Sequence, residues 1–322
     1  MIKTIVDKND QGVRLDQYLF QKNPDYSRSY FSHLIKSKLV SVNDRVKKSS
    51  YHVEVGDRIE FELIEKPALS PIEGEDIPLD IIFENDDVVV VNKPAGLVVH
   101  PAAGNYTGTL ANALAYKFPK IKDAIHNEGS EFSKSRPGLV HRLDKDTSGV
   151  LIVAKNTKAM IFLSNQIKDR KVNKKYLAIC AGWPKTERGK LVNHLGRDSK
   201  NRKSYTDVGK DKGREAISRF KVLNYYKTLT GSRVSLIEFI IETGRTHQIR
   251  TQAKIAGFPV IGDNVYLTKE SKLISNQLGV KRQMLHAKEL TILVPSQTKS
   301  QNFTAPVPTD FLKTVSQLVS QD

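Results

Sequence analysis

Cysteine is almost absent from this sequence, since Cys180 is the only one among 322 residues. A single cysteine cannot form an internal disulfide, and it cannot build a zinc site unless several histidines or carboxylates surround it. Disulfide scaffolds and zinc fingers are therefore excluded. Apolar runs such as Val88–Val91 and Val150–Ala154 are only four or five residues long, whereas a membrane span needs roughly 20. The chain also turns polar by Asp7, too early for a secretory signal peptide, so we expect a cytoplasmic protein.

Acidic residues are scarce relative to basic ones. Lys and Arg total 51 against 35 Asp and Glu, which gives a formal net charge of +16 and a pI near 9.6. Between residues 158 and 219 there are 17 basic and 6 acidic residues. These side chains form either a solvated lysine-rich face or a surface for phosphates, and the clusters at residues 170–175 and 197–203 favour phosphate contact. A polyanionic partner is the expected class.

The chain length favours two domains over one core. Leu15, Leu19 and Phe20 recur at helical spacing, and Phe31, Leu34 and Ile35 do so again, before short strands with turns at residues 43–44 and 56–57. Proline and polar residues then dominate residues 65–71, a composition typical of a linker. We therefore expect one domain at 1–70 and a second at 71–322.

The second domain has the pattern of an α+β fold. Strands are predicted at residues 81–83, 88–92, 150–154, 176–181, 216–222 and 234–241, and helices at 109–118, 158–170 and 309–319. The strand at 234–241 is apolar on both faces, which indicates burial on both sides. In the last helix Phe311, Leu312, Val315 and Leu318 are expected to face inward.

The N-terminal part resembles the S4 RNA-binding domain, in which two helices and a turn present basic side chains to structured RNA. The similar stretches are RLDQYL at 14–19, SRSYFSHLIK at 27–36, LVSVN at 39–43 and VGDRI at 55–59. Arg28, Lys36 and Lys38 lie where a helix pair could direct them outward together, so they are RNA-binding candidates.

The string HRLDKDTSG at 141–149 joins a charged loop to the apolar run that starts at Val150. A carboxylate at such an edge is well placed to meet a substrate, but Asp followed by Thr-Ser-Gly is equally an ordinary turn into a strand. The string resembles the signature of the RluA family of pseudouridine synthases. Further blocks of that family follow the expected order: NKPAGLVVHP at 92–101, KYLA at 175–178, TGRTHQIR at 243–250, LHA at 285–287 and FTAP at 303–306.

The resemblance implies catalytic roles for three residues. Asp144 would be the catalytic aspartate, since a carboxylate can act as a nucleophile that later leaves; whether it attacks the sugar, attacks the ring or removes a sugar proton stays open. Arg250 would be its partner, with Arg245 as the alternative. Tyr176 would be the active-site tyrosine, although its position at the start of an apolar strand is otherwise typical of core.

The remaining implied residues would bind RNA or shape the pocket. Arg142 would fill the space of an expelled base, or else form a salt bridge with Asp144 or Asp146. The RNA-binding candidates here are Arg142, His141, Lys93 and Arg245. His247 would shape the pocket or be a structural histidine.

The resemblance also implies a mixed, mainly antiparallel sheet with flanking helices, no cofactor, no metal and a monomer acting on RNA. It is strongest to the type that modifies large-subunit (23S) rRNA and carries an S4 domain. A tRNA pseudouridine synthase and a non-catalytic RNA-binding ribosome-assembly protein are the alternatives. The chain departs from the family pattern at Thr251-Gln252 and at Gly257-Phe258-Pro259, which bears on substrate preference.

Overall fold

The computed structural model describes residues 2–24, 26, 28–63, 72–101, 105, 107–124, 137–199, 201 and 203–321. The chain divides into two compact units, residues 1–71 and 72–322. The predicted linker at 65–71 and the boundary near residue 70 lie outside the described residues. Within the part of the chain described, no helix has both the length and the apolar character that crossing a membrane requires.

The first unit combines two helices with a three-stranded sheet. Its elements are β1 (Ile2–Ile5), α1 (Leu15–Lys22), α2 (Arg28–Lys36), β2 (Val40–Val42) and β3 (Arg58–Phe61). Both predicted helices are confirmed. The sheet order is β1-β3-β2 with antiparallel pairing throughout, and β1 precedes the helices in the chain, where no strand is predicted.

The core of the first unit follows the helical spacing with one exception. Leu15, Leu19, Phe31 and Leu34 are buried together against the sheet. Phe20 is 40% exposed, because it lies one position beyond the buried face of a short helix. The apolar spacing is therefore right for the helix but wrong for this side chain.

The second unit contains eleven strands and five α-helices among the described residues. The strands are β4 (Ile81–Glu84), β5 (Val88–Lys93), β6 (Ser148–Ala154), β7 (Asn173–Ala181), β8 (Arg188–Arg197), β9 (Tyr205–Asp207), β10 (Arg214–Lys227), β11 (Arg233–Ile241), β12 (Leu285–Ile292), β13 (Gln301–Thr304) and β14 (Val319–Ser320). The helices are α3 (Leu110–Lys117), α4 (Thr157–Lys168), α5 (Gln248–Ile255), α6 (Lys269–Gln277) and α7 (Thr309–Ser316). The predicted strands and helices of this unit are all present.

These strands form one sheet in the order β4-β5-β6-β12-β7-β11-β10-β8-β9, with β13 beside β12 and β14 beside β10. Strands β6 and β12 are parallel, and the other strand pairings recorded for the described residues are antiparallel. The predicted mixed, mainly antiparallel sheet is confirmed. Strand β11 lies inside the sheet, with fully buried residues alternating with half-buried ones.

Strand β6 brings the signature string to the middle of the sheet. All seven of its residues are buried, and its first two, Ser148 and Gly149, pair with His286 and Ala287 of β12. Gly149 has φ +115°, and a Cβ at this position would collide with the carbonyl oxygen of Ala287. Only glycine therefore fits where the signature loop enters the sheet.

The last helix, α7, corrects one predicted core residue. Phe311 is buried, and Val315 and Leu318 are half-buried against the same apolar cluster. Leu312 is 56% exposed, and Thr314 is buried in its place, donating a hydrogen bond to the carbonyl oxygen of Asp310 at 2.8 Å. The inward face runs through 311, 314/315 and 318, which leaves 312 outside.

Candidate active site

The loop before β6 carries Asp144 and is held through its backbone. Lys93, at the end of β5, is fully buried, and its Nζ donates hydrogen bonds of 2.8 Å each to the carbonyl oxygens of Pro94, Leu97 and Lys145. Burial lowers the pKa of Lys93 to about 7, against the attraction of Asp146. The predicted RNA-binding role of Lys93 does not match this environment, because the side chain is fully buried and its three donors are engaged with backbone carbonyls.

The segment before β12 holds the other side of this loop. Arg282 donates from Nη1 to the carbonyl oxygen of Asp146 at 3.1 Å, while its Nε and Nη2 bind the Asp310 carboxylate at 2.6 and 2.7 Å. The Nε2 of Gln283 donates to Thr147 Oγ1 at 3.1 Å. Sequence reasoning missed these residues, because nothing in the string RQ distinguishes them from surface residues.

Arg250 joins the loop to α5 and to the segment after it. Its Nη1 donates to Asp144 Oδ2 at 2.8 Å, and its Nε and Nη2 bind Asp263 Oδ2 and Oδ1 at 2.6 and 3.0 Å. Burial alone would lower the pKa of Arg250, but the bonds to Asp263 and the charges of both carboxylates raise it. Of the two candidate arginines it is Arg250 that contacts Asp144, since the Arg245 Nε donates to the carbonyl oxygen of Glu215.

Asp263 is a site residue that sequence reasoning missed. Its side chain is fully buried, and Oδ1 also accepts from the backbone N–H groups of Val265 and Tyr266 at 2.8 and 3.0 Å. Burial alone would raise its pKa, but Arg250 and the two N–H groups lower it. The only signal in the sequence is an Asp after the apolar Val260-Ile261, which also fits a turn.

Tyr176 lies on β7 and contributes a buried ring to the same site. It is 8% exposed and pairs with Phe239 of β11 and Ala287 of β12. Burial, followed by the negative charge of Asp144, raises the pKa of the phenol. Tyr176 therefore remains a neutral phenol near pH 7, able to donate a proton or to stack.

His247 lies beside Asp144 in an unusual backbone conformation. Its Nε2 is 3.8 Å from Asp144 Oδ1, its Nδ1 is 2.9 Å from the hydroxyl of Tyr266, and its ring contacts Tyr205 edge-on. It adopts φ +56° immediately before α5, which costs a non-glycine residue roughly 1 kcal/mol. Burial, partly offset by the charge of Asp144, lowers its pKa, so the ring is neutral near pH 7.

His141 is attached to the strand it precedes. Its Nε2 accepts a hydrogen bond of 3.1 Å from the N–H of Ile152, which puts the proton of the neutral ring on Nδ1. Burial, with a smaller contribution from Lys174, lowers its pKa to about 3. His141 is therefore neutral, and its Nε2 is occupied by the backbone.

These residues border a cleft of about 450 Å³. Arg142 is exposed at the cleft, and it makes no ion pair with Asp144 or Asp146 in the part of the chain described. The cleft is lined by residues from three segments and the strands between them: 140–144 with Thr147, 244–250, and Ile167, Lys174, Tyr176, Arg214, Ile241 and Leu285. The loop, β7 and the start of α5 therefore converge on one opening.

The first unit presents its candidate cations differently. Lys36 and Lys38 are exposed at the end of α2. Arg28 is bound to Asp16 through Nε at 3.1 Å and Nη2 at 3.3 Å, and Arg14 binds the same carboxylate. Two of the three are thus free to meet a phosphate, while Arg28 would have to share its charge with Asp16.

The departure at Gln252 has a structural explanation. The side chain is fully buried beneath α5, where Nε2 donates to the carbonyl oxygens of Leu191 and Ala216 at 3.2 and 3.0 Å, and Oε1 accepts from Ser218 at 2.7 Å. It ties α5 to β8 and β10 on the side away from Asp144. The buried amide thus has hydrogen-bond partners for both its Nε2 and its Oε1, which offsets the cost of burying it.

Two family models match the chain. The model described as RNA pseudouridylate synthase covers residues 87–254, and the model described as S4 domain covers residues 13–59. The first match contains Asp144, Tyr176 and Arg250, and the second contains both helices of the first unit. One match thus falls within each of the two units.

Individual relatives and a solved structure are also described as pseudouridine synthases. An uncharacterised RNA pseudouridine synthase of Bacillus subtilis is 37% identical over 311 residues, which covers 97% of this chain and 96% of the relative. The ribosomal large subunit pseudouridine synthase D of Neisseria meningitidis is 39% identical over 313 residues, covering 95% and 79%. Among solved structures, human RNA pseudouridylate synthase domain containing 1 aligns with a TM-score of 0.59 at 26% identity, covering 77% of this chain and 91% of that one.

Proposed function

The chain belongs to the RluA-type family of RNA pseudouridine synthases with an N-terminal S4 domain, and from this premise we propose that it isomerises uridines of large-subunit (23S) rRNA. The family activity makes it an isomerase that uses RNA. The proposal concerns which RNA it uses and which residues act. Support for the ribosomal substrate comes from the name of the Neisseria relative, whose alignment covers 95% of this chain. The excess of basic residues between 158 and 219 also supports it.

The observation that carries the catalytic assignment is the Asp144–Arg250 contact at the cleft. Pseudouridine formation breaks the N1–C1′ bond, forms a C5–C1′ bond, and replaces the proton lost from C5 with one on N1. The 2.8 Å bond from Arg250 leaves Asp144 Oδ1 on the side of His247. In our proposal Asp144 acts on the nucleotide through this oxygen, and Arg250 orients the carboxylate by its hydrogen bond.

Two further residues complete the proposed site. Tyr176, which retains its phenolic proton near neutral pH, would stack on the uracil. It would give that proton to N1 after the base has turned and regain a proton from C5, so that the phenol is restored. Arg142, exposed and without an ion-pair partner among the described residues, would occupy the gap that the flipped uridine leaves in the RNA. Flipping the base costs a few kcal/mol, and an inserted guanidinium offsets part of that cost by stacking.

The other predicted RNA-binding residues fall into two groups, those that would contact RNA and those that would hold the loop. Arg245, Lys36 and Lys38 would contact RNA phosphates, and Arg28 would do so while sharing Asp16. Lys93 and His141 are assigned instead to holding the loop, because their polar atoms are engaged with backbone groups. The enzyme would work in the cytoplasm as a monomer, with no cofactor or metal taking part.

A map of pseudouridines tests this proposal. Ribosomal RNA from cells lacking the gene, complemented with wild type, Asp144→Asn or Asp146→Asn, is treated with carbodiimide and read by primer extension. We expect stops in large-subunit rRNA that vanish on deletion and return with wild type and with Asp146→Asn, the matched neighbouring carboxylate. Their return with Asp144→Asn would remove Asp144 from the catalytic role, and stops that change only in tRNA would replace the substrate.

A further inference from the structure

The cleft carries far more positive than negative charge. Among the described residues that line it, five are cationic, namely Arg142, Lys174, Arg214, Arg245 and Arg250, and Asp144 is the one carboxylate. Arg250 is engaged with Asp144 and Asp263. The other four cations have no carboxylate partner within the described ranges, and such an excess in a concave site favours an anionic ligand.

Lys174 is the most enclosed of these four. It stands two residues before Tyr176 on β7, so both side chains lie on the same face of the strand and both line the cleft. Lys175 points to the opposite face and pairs with Glu289 at 3.0 Å. Burial lowers the pKa of Lys174 to about 8, yet the side chain remains mostly protonated near pH 7.

Two arginines extend this charge along the cleft. Arg245 donates from Nε to the Glu215 carbonyl oxygen, which leaves its two Nη groups available. Arg214 and Arg245 both line the cleft. Burial, followed by the charges of Arg214 and Arg170, lowers the pKa of Arg245. The Glu215 carboxylate is bound to Arg170 at 3.1 Å, and its charge raises the pKa of Arg245 by less than burial and the two arginines lower it.

We propose that Lys174, with Arg214 and Arg245, forms a phosphate subsite that binds the phosphodiester adjoining the target uridine. A uracil base is neutral, so the phosphate is the anion that a nucleotide brings into the cleft. Guanidinium forks and an ammonium are the groups that bind phosphate oxygens most strongly. The subsite rests on the proposed function, because it requires a nucleotide in this cleft, and it adds how the RNA backbone is held while the base turns.

Neutralising the phosphate and neutralising the lysine should have overlapping effects. A synthetic RNA stem-loop with the mapped uridine is made with a single methylphosphonate at the linkage 5′ or 3′ to it. For the wild type we expect kcat/KM to fall at least tenfold at one of these two linkages. Lys174→Gln should lose a similar factor on the unmodified RNA and less than threefold more on the neutral linkage.

The RNA affinity of wild type and of Lys174→Gln, each with the unmodified and the methylphosphonate RNA, is also measured by mobility shift. The coupling between the lysine and the phosphate can then be determined without turnover. Lys288→Gln is the matched control, because Lys288 lies 3.9 Å from Glu289 and is not part of the cleft lining. It should keep wild-type kcat/KM together with the full methylphosphonate penalty. If the methylphosphonate lowers kcat/KM and RNA affinity by the same factors in Lys174→Gln as in the wild type, the proposed subsite is wrong. Absence of product from every RNA, with coupling still present in affinity, would instead contradict the proposed function alone.

Discussion

Arg250 binds the carboxylates of Asp263 and Asp144 in different ways, and we infer a different role for each. Asp263 receives two hydrogen bonds from the guanidinium and is fully buried, whereas Asp144 receives one and borders the cleft. The bidentate pair fixes the plane of the guanidinium, which leaves Nη1 directed at Asp144. In the proposed site Asp263 would therefore be a positioning residue, whose effect on the reaction passes through Arg250.

Asp263→Asn tests that role. An amide keeps the shape but loses the charge, which leaves Arg250 with one weakened partner inside the protein. We expect the free energy of unfolding to fall by about 3 kcal/mol and single-turnover pseudouridine formation to slow about 100-fold, with RNA affinity changing little. Urea denaturation, rapid-quench assays and mobility shifts measure the three quantities.

Glu242→Gln is the control, because it removes a carboxylate that binds Arg219 at 2.8 Å on the surface. Exposed pairs contribute less than about 1 kcal/mol, so both stability and turnover should stay near wild type. A loss of turnover in Asp263→Asn that comes entirely from weaker RNA binding would contradict the positioning role.

His286 makes a pH-dependent contribution to stability. It is fully buried between Ser148 Oγ at 2.9 Å and the Ala305 carbonyl oxygen at 3.4 Å, and burial lowers its pKa to about 4. In the unfolded chain His286 binds a proton below about pH 6.5, whereas in the folded protein it does so only below about pH 4. Stability therefore rises with pH across this window and is lost as the pH falls through it.

Replacing His286 with Gln removes the titration while keeping an amide that can reach both partners. Between pH 7 and 4 the wild type should lose about 3 kcal/mol of unfolding free energy relative to His286→Gln. Urea denaturation of both proteins at half-unit pH steps measures the difference. Parallel curves would show that His286 takes up its proton equally well in the folded state.

At the scale of elements, the parallel contact of β6 with β12 borders the loop that carries Asp144, and Gly149 pairs there with Ala287 without room for a side chain. Gly149→Ala adds a Cβ against the Ala287 carbonyl oxygen at a positive φ, which should lower the unfolding free energy by about 3 kcal/mol. Gly257→Ala is matched in backbone conformation, with φ +89° and nothing within 4 Å of the added Cβ, and should cost about 1 kcal/mol. Equal thermal denaturation shifts would contradict the close approach.

The elements differ in how well the sequence predicts them, and α5 shows why. Helices α3 and α4 have apolar spacing and were predictable, whereas α5 buries Gln248, Arg250 and Gln252, so its inner face looks polar in the sequence. Strand-forming runs such as β6 were predictable because burial on every side leaves an apolar string. A helix that buries hydrogen-bonded polar groups carries no such signal.

The site shows the same limit. The family string locates Asp144, but the partners that hold its loop come from Lys93, Arg282 and Gln283, far along the chain. Lys93 looks like a surface cation in the sequence, and only the three backbone carbonyls around it show that it is internal. Residue type indicates which groups a side chain can bind, whereas the tertiary structure determines which groups lie next to it.

At the scale of the whole molecule, the two units carry charge very differently. Residues 12–66 contain 10 basic and 8 acidic residues, whereas residues 158–219 contain 17 and 6. The first unit therefore adds docking contacts, and the second contributes most of the long-range attraction for RNA. The dependence of binding on salt should follow this division.

Removing residues 1–71 should weaken RNA binding at least about tenfold while the helical and strand circular dichroism of residues 72–322 persists. Each phosphate contact adds about 0.7 to the slope of log affinity against log salt for single strands. The truncated protein should keep most of that slope, which filter binding at several salt concentrations measures. Loss of most of the slope would place the attraction in the first unit.

The parallel junction of β6 and β12 also sets an order of events during synthesis. Ser148 and His286, which meet there, are separated by 138 residues, so a ribosome completes the signature loop long before it makes the strand that borders it. Arg282 and Gln283, which hold that loop, emerge equally late. A nascent chain thus carries Asp144 with Lys93 in place but without Arg282, Gln283 and β12 until these are made. We expect activity only after this distant strand has been synthesised.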